Sequence, residues 1–129
     1  MVDRKRRLDC ANGIRKADIV LKHGKVLNVF TEEILEADVA ICGDTIVGVG
    51  SYEGEREIDC TGKYLVPGFL DAHMHIESSM VSPGELSKVL VQAGTTTIVA
   101  DPHEIVNVCG VKGMDYFLKC AGKALVHIF

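Results

Sequence analysis

"PGFLDAHMHIESSM", residues 67–80, places polar side chains at alternate positions of a run that otherwise resembles a buried strand. Successive side chains of a strand point to opposite faces, so the run divides into two sets. One set contains Phe69, Asp71, His73 and His75. The other set is wholly apolar and contains Leu70, Ala72, Met74 and Ile76. The pattern therefore predicts a strand whose apolar face packs against helices and whose other face becomes polar toward its end.

The residues that follow alternate between helix and strand patterns. "SPGELSKVLVQAG" has an N-cap serine, a proline at the first helical position and a capping-box glutamate, which together predict a helix. "TTTIVADP" predicts a buried parallel strand, a helical stretch runs from about His103 to Cys120 with weak spots at Gly110 and Gly113, and "ALVHIF" begins another strand. Residues 67–129 are thus predicted to be the first βαβαβ units of an incomplete (β/α)8 TIM-type barrel, since a complete barrel needs about 250 residues.

The region before Pro67 has a different pattern. Residues 17–66 contain short apolar runs separated by turn residues, and are predicted to form a β-sandwich segment. Turns are predicted at His23–Gly24 and at Gly43–Asp44, where glycine accepts a positive φ. Residues 1–16 are polar and basic, and are predicted to be a solvated helix or a frayed arm. The predicted class is therefore α/β in three segments.

Composition narrows the class of protein. The chain is 47% hydrophobic and 25% charged with a net charge of −4, which is typical of a soluble globular protein and argues against nucleic acid as the main partner. No apolar run approaches the roughly 20 residues of a membrane span, and the N-terminus lacks the apolar core of a secretion signal. We therefore predict a cytoplasmic protein without a membrane partner. The five cysteines show no CxxC spacing, which predicts free thiols.

The strand ends carry the candidate functional residues. His73 and His75 lie two positions apart at the carboxyl end of the first predicted barrel strand, where two imidazoles can reach one metal ion or a pair of ions. The next strand ends in Asp101, His103 and Glu104, which are predicted to lie on the same rim. A structural alternative is that Asp101 caps the following helix and that the other two side chains complement its N-terminus.

Two other metal motifs are excluded by their spacing. His103–Glu104 begins like H-E-x-x-H, but Asn107 stands where the second histidine is required. His75–Ile76–Glu77 matches the H-x-E of small zinc deaminases, but the P-C-x-x-C that such enzymes need is absent from the sequence.

These motifs, in this order, resemble the N-terminal part of the adenine deaminases, which belong to the amidohydrolase superfamily of metal-dependent hydrolases. "PGFLDAHMH" is general to the superfamily, whereas "HIESSM" and "VADPHEI" separate adenine deaminases from dihydroorotase, hydantoinase and deacetylase relatives. The resemblance extends over nearly the whole chain. It implies hydrolysis of adenine to hypoxanthine and ammonia by a metal-activated hydroxide, with adenine as the small-molecule partner. A homo-oligomer stays open as a further partner.

The resemblance also implies a set of site residues. His73 and His75 would be ligands of a divalent metal in a binuclear centre, with Mn²⁺ expected and Fe²⁺ or Zn²⁺ as alternatives. The other candidate catalytic residues on the rim are Glu77, Asp101, His103 and Glu104. Glu77 would either transfer a proton or orient an imidazole from behind.

Because the superfamily takes further ligands from later strands, we expect the 129-residue chain to be inactive alone. Two other functions stay open from the sequence. One is an amidohydrolase that acts on a different cyclic amide, and the other is a non-catalytic remnant or metal-binding module.

Overall fold

The computed structural model describes residues 3–129, which form a mixed α/β structure as predicted. Met1 and Val2 of the predicted segment 1–16 lie outside the described residues. The chain separates into two units, Met1–Pro67 and Gly68–Phe129. The elements of the first unit are α1 (Arg4–Ala11), β1 (Ala17–Asn28), β2 (Glu33–Cys42), β3 (Thr45–Gly50), β4 (Gly54–Asp59) and β5 (Tyr64–Leu65). The elements of the second unit are β6 (Phe69–Met74), a 3-10 helix (Ile76–Ser79), α2 (Pro83–Gln92), β7 (Thr95–Ala100), α3 (His103–Cys109), α4 (Val111–Ala121) and β8 (His127–Ile128).

The first unit contains one five-stranded sheet. Its order is β3-β2-β1-β4. Strand β5 also pairs with β1 in parallel, at Lys25 and Val26, which lie after the residues of β1 that pair with β4. β2 and β3 are antiparallel and joined by Gly43–Asp44, so the turn predicted there is confirmed. Gly43 has a φ of 63°, the left-handed conformation that such a turn requires. Within residues 3–67 the strands belong to this single sheet, so the predicted sandwich stays a prediction.

The turn predicted at His23–Gly24 is wrong. β1 continues through both residues, and its pairing with β2 contains a β-bulge between Leu21 and Gly24. His23 has a φ of 59°, and its backbone N–H donates to Asp38 Oδ1 across the sheet at 2.9 Å. The bulge accommodates an extra residue in β1, and the chain direction does not reverse. The His23 N–H that is not used in the regular ladder is accepted by the Asp38 side chain on β2.

Asp38 and Lys22 form a buried ion pair beside this bulge. Lys22 Nζ donates to Asp38 Oδ2 at 2.6 Å and to the carbonyl of Tyr52 at 2.9 Å, and the backbone N–H of Tyr52 donates to Asp38 at 3.2 Å. Burial acts to raise the pKa of Asp38, but hydrogen bonds from Lys22, from the His23 N–H and from the Tyr52 N–H lower it overall. Nothing in the sequence pattern pointed to this network.

The basic N-terminal run forms helix α1. Arg6 pairs with Asp18, and Arg7 Nη2 lies 3.0 Å from Asp44 Oδ1. The helix was one of the two predicted forms of this segment. Two of its cations therefore bind carboxylates of the same unit.

The second unit contains a parallel sheet in the order β6-β7-β8. Helix α2 connects the first two strands and begins at Ser82, whose Oγ accepts from the Glu85 N–H, as the predicted N-cap does. The buried core consists of Ile76, Ile98 and Phe117. The predicted strand–helix alternation and the parallel pairing are therefore confirmed for this unit.

The predicted two-face division of β6 is only partly seen. Met74 packs against the core and Ile76 is part of it, but Leu70 is 62% exposed. The strand also ends at Met74, earlier than its alternating pattern suggested, and the chain then turns into the 3-10 helix. Residues after Met74 therefore do not follow strand periodicity.

None of the helices in residues 3–129 is long and apolar enough to cross a membrane.

The long helical stretch is divided at Gly110, one of the two predicted weak spots. Gly110 has φ 59° and ψ −148°, and it separates α3 from α4. Gly113 lies inside α4 instead, where the two helices approach closely. A Cβ at Gly113 would lie 2.8 Å from the backbone oxygen of Ile105 and 3.2 Å from Cys109 Cβ.

We expect Gly113→Ala to destabilise the second unit for this reason. Overpacking against a backbone oxygen costs about 1–3 kcal/mol, whereas alanine gains at most about 1 kcal/mol of helix propensity over glycine. Gly122→Ala is the matched control, because its Cβ would meet nothing closer than 3.8 Å. Denaturant unfolding should show a net loss only for the first variant, and equal effects of both substitutions would contradict the close helix approach.

Candidate metal centre

Five of the six predicted site residues meet at the carboxyl ends of β6 and β7. His73 lies in β6, and His75 follows it as the N-cap of the 3-10 helix. Asp101 follows β7, and His103 and Glu104 begin α3. Adjacent parallel strands end at the same edge of a sheet, so these side chains converge although 26 residues separate His75 from Asp101.

The two histidines of β6 face each other through their Nε2 atoms, which lie 3.1 Å apart. His75 Nδ1 lies 3.0 Å from the backbone oxygen of Asp101. A carbonyl oxygen can only accept, so His75 carries its proton on Nδ1 and presents a lone pair at Nε2. That lone pair points at His73 Nε2, and a proton or a cation between the two nitrogens satisfies both.

Asp101 orients a third imidazole. Its Oδ2 accepts from His103 Nδ1 at 3.0 Å, which leaves His103 Nε2 free to act as a ligand. This hydrogen bond holds the pKa of Asp101 below its usual value, with smaller contributions from the charges of His103 and His75. The alternative role for Asp101 as a helix cap is wrong, because Pro102 is the N-cap of α3 and no side-chain cap is made there.

The donor atoms form two groups that share His75. One consists of His73, His75 and Asp101, and the other of His75, His103 and Glu104, with the atoms of each group within 4.8 Å of one another. Two nitrogens bound to one zinc ion at 2.0–2.1 Å can lie at most about 4.2 Å apart, so the 3.1 Å pair fits a shared ion directly. Imidazole and carboxylate are ligands of first-row divalent metals. The residues present therefore fit a divalent cation.

Glu77 is the predicted site residue that lies apart from the donor groups. Its Oε1 accepts from the backbone N–H of Ile105 at 3.1 Å, in the first turn of α3. Its Oε2 is buried without a hydrogen-bond partner in the described part of the chain. The side chain also lines a cleft with Val108 and Tyr116. Glu77 therefore joins the 3-10 helix that follows His75 to the first turn of α3.

Two supporting residues were missed by the sequence reasoning. Ser78 Oγ donates to Glu104 Oε1 at 3.1 Å, and Asp71 Oδ1 accepts from the backbone N–H of His73 at 3.1 Å. Both lie in the run of residues 67–80 that contains the two histidines, and strand alternation predicts Asp71 on the same face as His73 and His75. The signal was present, but strand periodicity alone assigns no partner to either side chain.

A family model matches the second half of the chain. The model described as "Amidohydrolase family" covers residues 64–129, which include every residue of the two donor groups.

Curated relatives match over a longer stretch. A protein named adenine deaminase from Bacillus pumilus is 55% identical over 115 residues, which is 89% of this chain and 20% of the relative. An adenine deaminase from Clostridium acetobutylicum is 52% identical over 88% of this chain and 20% of its own length. The chain thus spans about a fifth of the length of these relatives.

Two solved structures have a similar fold over about two thirds of this chain. N-acyl-D-glutamate deacylase from Bordetella bronchiseptica, complexed with zinc and a phosphonate inhibitor, is 26% identical with a TM-score of 0.55, over 67% of this chain and 19% of that one. A D-aminoacylase described with a binuclear metal center is 32% identical with a TM-score of 0.54, over 65% of this chain and 18% of that one.

Proposed function

This chain belongs to the amidohydrolase family, and from that premise we propose that it is part of an adenine deaminase, which hydrolyses adenine to hypoxanthine and ammonia. The observation that supports this choice most strongly is the high identity to proteins of that name over 115 of 129 residues. An alignment of that length necessarily includes residues 73–104, where the donor groups lie. Because the chain spans only a fifth of those relatives, the proposal concerns the protein that contains it, and the chain alone is expected to be inactive.

The proposed cofactor is a divalent metal bound by His73 and His75, with Asp101 as a third ligand. His103 and Glu104 are the candidate ligands of a second ion, and a binuclear centre would need further ligands there because the single Nε2 lone pair of His75 binds one ion at a time. Mn²⁺ is the proposed metal, and Fe²⁺ or Zn²⁺ are the alternatives. When bound, such a metal would lower the pKa of water to about 7 and so make a strong nucleophile available at neutral pH.

The chain's own residues have distinct tasks in this proposal. The Asp101 carbonyl fixes the His75 tautomer, and the Asp101 carboxylate holds His103 in the matching one. Deamination also requires a proton on the ring nitrogen and on the departing amine. Glu104 is proposed to hold that proton when it does not bind the metal, because Ser78 donates to its Oε1 and leaves Oε2 available.

Glu77 is proposed to position the site, and this role can be separated from proton transfer by two substitutions. Glu77→Ala removes the acceptor of the Ile105 N–H, which is expected to cost about 1 kcal/mol of stability and to weaken metal binding as α3 shifts. Glu77→Gln keeps an oxygen acceptor without an ionisable carboxyl group. Metal titration and ammonia release should therefore be close to normal in the glutamine variant. Equal loss of turnover in both variants, with normal metal binding, would instead identify Glu77 as a proton-transfer group.

The finer architecture is part of the same proposal. We take residues 67–129 as the first βαβαβ units of an incomplete (β/α)8 barrel, and 17–66 as a β-sandwich segment preceded by a polar segment, 1–16. An apolar cleft of about 620 Å³ on the sheet of the first unit supports the sandwich, since a second sheet would cover it. Its lining includes Leu21, Val26, Leu35 and Val39. A cytoplasmic location and a homo-oligomeric form complete the proposal.

The test of the function is adenine-dependent ammonia release. The open reading frame that contains these residues should be expressed in full, purified without metal and supplied with Mn²⁺. We expect ammonia and hypoxanthine to appear in equal amounts, and chelation to abolish both. Hydrolysis of a hydantoin but not of adenine would favour a cyclic-amide hydrolase instead. Metal binding without turnover of either substrate would favour a metal-binding module.

A further inference from the structure

Two cysteines that are far apart in the sequence lie side by side in the first unit. Cys10 Sγ and Cys42 Sγ are 3.6 Å apart, and both residues are 0% exposed. Cys10 belongs to α1, and Cys42 is the last residue of β2. All five cysteines are free thiols, and among the hydrogen bonds of residues 3–129 this is the one that joins two sulfur atoms.

We propose that Cys10 and Cys42 are an oxidative modification site, at which a hydroperoxide converts the two thiols into a disulfide that fastens α1 to the end of β2. A disulfide has an S–S distance of about 2.05 Å, so the sulfur atoms must approach by about 1.5 Å. The two residues already adjoin, so side-chain rotation and a small helix shift are the movements required.

The closed pair is protected from oxidants, and its reactivity depends on opening of α1. Burial, followed by the hydrogen bond with Cys42, raises the pKa of the Cys10 thiol, which keeps the nucleophilic thiolate scarce. α1 has eight residues, too few to be a stable helix alone. Its ion pairs Arg6–Asp18 and Arg7–Asp44 are partly solvated, and such pairs hold a helix weakly. Local opening of α1 therefore exposes Cys10 to small peroxides without unfolding the sheet.

The chemistry balances with one hydroperoxide molecule. The Cys10 thiolate attacks a peroxide oxygen, the O–O bond breaks, and a sulfenic acid forms on Cys10 while water or an alcohol leaves. When α1 closes again, the Cys42 sulfur attacks the sulfenic sulfur, the S–O bond breaks, and hydroxide leaves with the Cys42 proton as water. Two thiols lose two electrons in total, and the peroxide accepts both.

The disulfide would hold α1 on the sheet. It closes a loop across 32 residues, and such a loop restricts the unfolded chain strongly. α1 also receives a hydrogen bond from Tyr52 Oη to the Ala11 carbonyl at 3.2 Å, while the Tyr52 backbone binds Asp38. Oxidation would therefore keep α1 attached to the sheet, next to Tyr52, which contacts both α1 and Asp38. We expect the oxidised first unit to melt roughly 10 °C higher than the reduced one.

A peptide map tests the site directly, because trypsin places each cysteine in its own peptide. Cleavage at lysine and arginine gives residues 8–15 for Cys10, 26–56 for Cys42 and 57–63 for Cys60. The reduced full chain should be treated with hydrogen peroxide, alkylated after unfolding and digested without reductant. We expect the dominant product to be peptide 8–15 linked to peptide 26–56, short of two hydrogen atoms and separable by a thiol reductant.

Two variants complete the test. Cys42→Ala removes the resolving thiol, so dimedone should trap Cys10 as a sulfenic acid. Cys60→Ala, at a buried cysteine of the same unit, is the matched control and should keep the link. Recovery of Cys10 and Cys42 as alkylated thiols after peroxide treatment would overturn the proposal, and so would a dominant link to any other cysteine. The wild-type map decides the question even if the alanine variant does not fold.

Discussion

His75→Ala is expected to reduce metal binding more than any other single substitution in the candidate metal centre. His75 is the one residue that belongs to both donor groups, so its loss removes the Nε2 ligand whichever of the two groups holds the ion. It also removes the partner of His73 Nε2 and releases the hydrogen bond to the Asp101 carbonyl. Removal of a supporting residue commonly costs 10–100-fold in metal affinity, so loss of a shared ligand should exceed about 100-fold. In the adenine deaminase proposed above to contain this chain, the same substitution should lower turnover by about 10³-fold, since metal assistance supplies several kcal/mol.

The matched comparison uses other histidines of the same unit. His73→Ala and His103→Ala each affect one donor group, and should leave the other able to bind one equivalent of Mn²⁺. His127→Ala is the control, because His127 lies on β8, belongs to neither group and stacks on Phe129. Metal content after dialysis and Mn²⁺ titration by electron paramagnetic resonance are the measurements. If His75→Ala retained as much metal as the His127 variant, the shared-ligand arrangement would be wrong.

Asp38→Ala is expected to be the most damaging substitution for stability. It leaves the Lys22 ammonium mostly buried without its carboxylate, and it removes the acceptor of the His23 and Tyr52 N–H groups. Breaking a buried pair from one side costs about 3–5 kcal/mol, a large share of the 5–15 kcal/mol that stabilises a typical protein. Asp38→Asn keeps an oxygen acceptor and should lose less. Urea unfolding of both variants measures the difference.

Acid unfolding gives a second readout of the same pair. The folded pKa of Asp38 lies below its usual value of 3.8, so the stability from this group is fully present above that pH. It is lost as the pH falls through the folded pKa, where the carboxylate takes up a proton. The difference between wild type and Asp38→Ala should therefore shrink under strongly acidic conditions. Glu53→Ala breaks the exposed Lys16–Glu53 pair and is the control, with little effect expected at any pH. A pH-independent difference would count against the pair.

The features that the sequence predicted correctly depend on neighbouring residues. Helix α2 begins at Ser82 because the cap and the proline at its first position act within one turn. The hairpin turn at Gly43–Asp44 follows from the φ that glycine permits. The convergence of His75 and Asp101 was also predictable, since it requires only that two adjacent parallel strands end at one edge.

The features that were missed depend on partners far away in the sequence. His23–Gly24 resembles a turn locally, and it stays within a strand because Asp38, 15 residues later, accepts its freed N–H. Glu77 stands two positions after His75, in step with the alternation of β6, but the strand ends at Met74 and the Glu77 carboxylate accepts from the N–H of Ile105, 28 residues away. Periodicity carries no information on either contact, because each forms only after the elements have assembled.

The bulge in β1 has a consequence for which substitutions and deletions the sheet can accept. Leu21 pairs with Val39 and Val26 pairs with Leu35, and all four side chains line the apolar cleft although one position is odd and the other even. The extra residue thus changes which positions face the cleft, from odd-numbered before the bulge to even-numbered after it. Both halves of β1 therefore contribute apolar side chains to the same surface. Deleting His23 would shorten the separation of Leu21 and Val26 from five residues to four, so strict alternation would keep both on the cleft side, whereas straightening the bulge at full length would turn Val26 to the opposite side. The bulge at His23 therefore decides which side chains of the second half of β1 face the cleft.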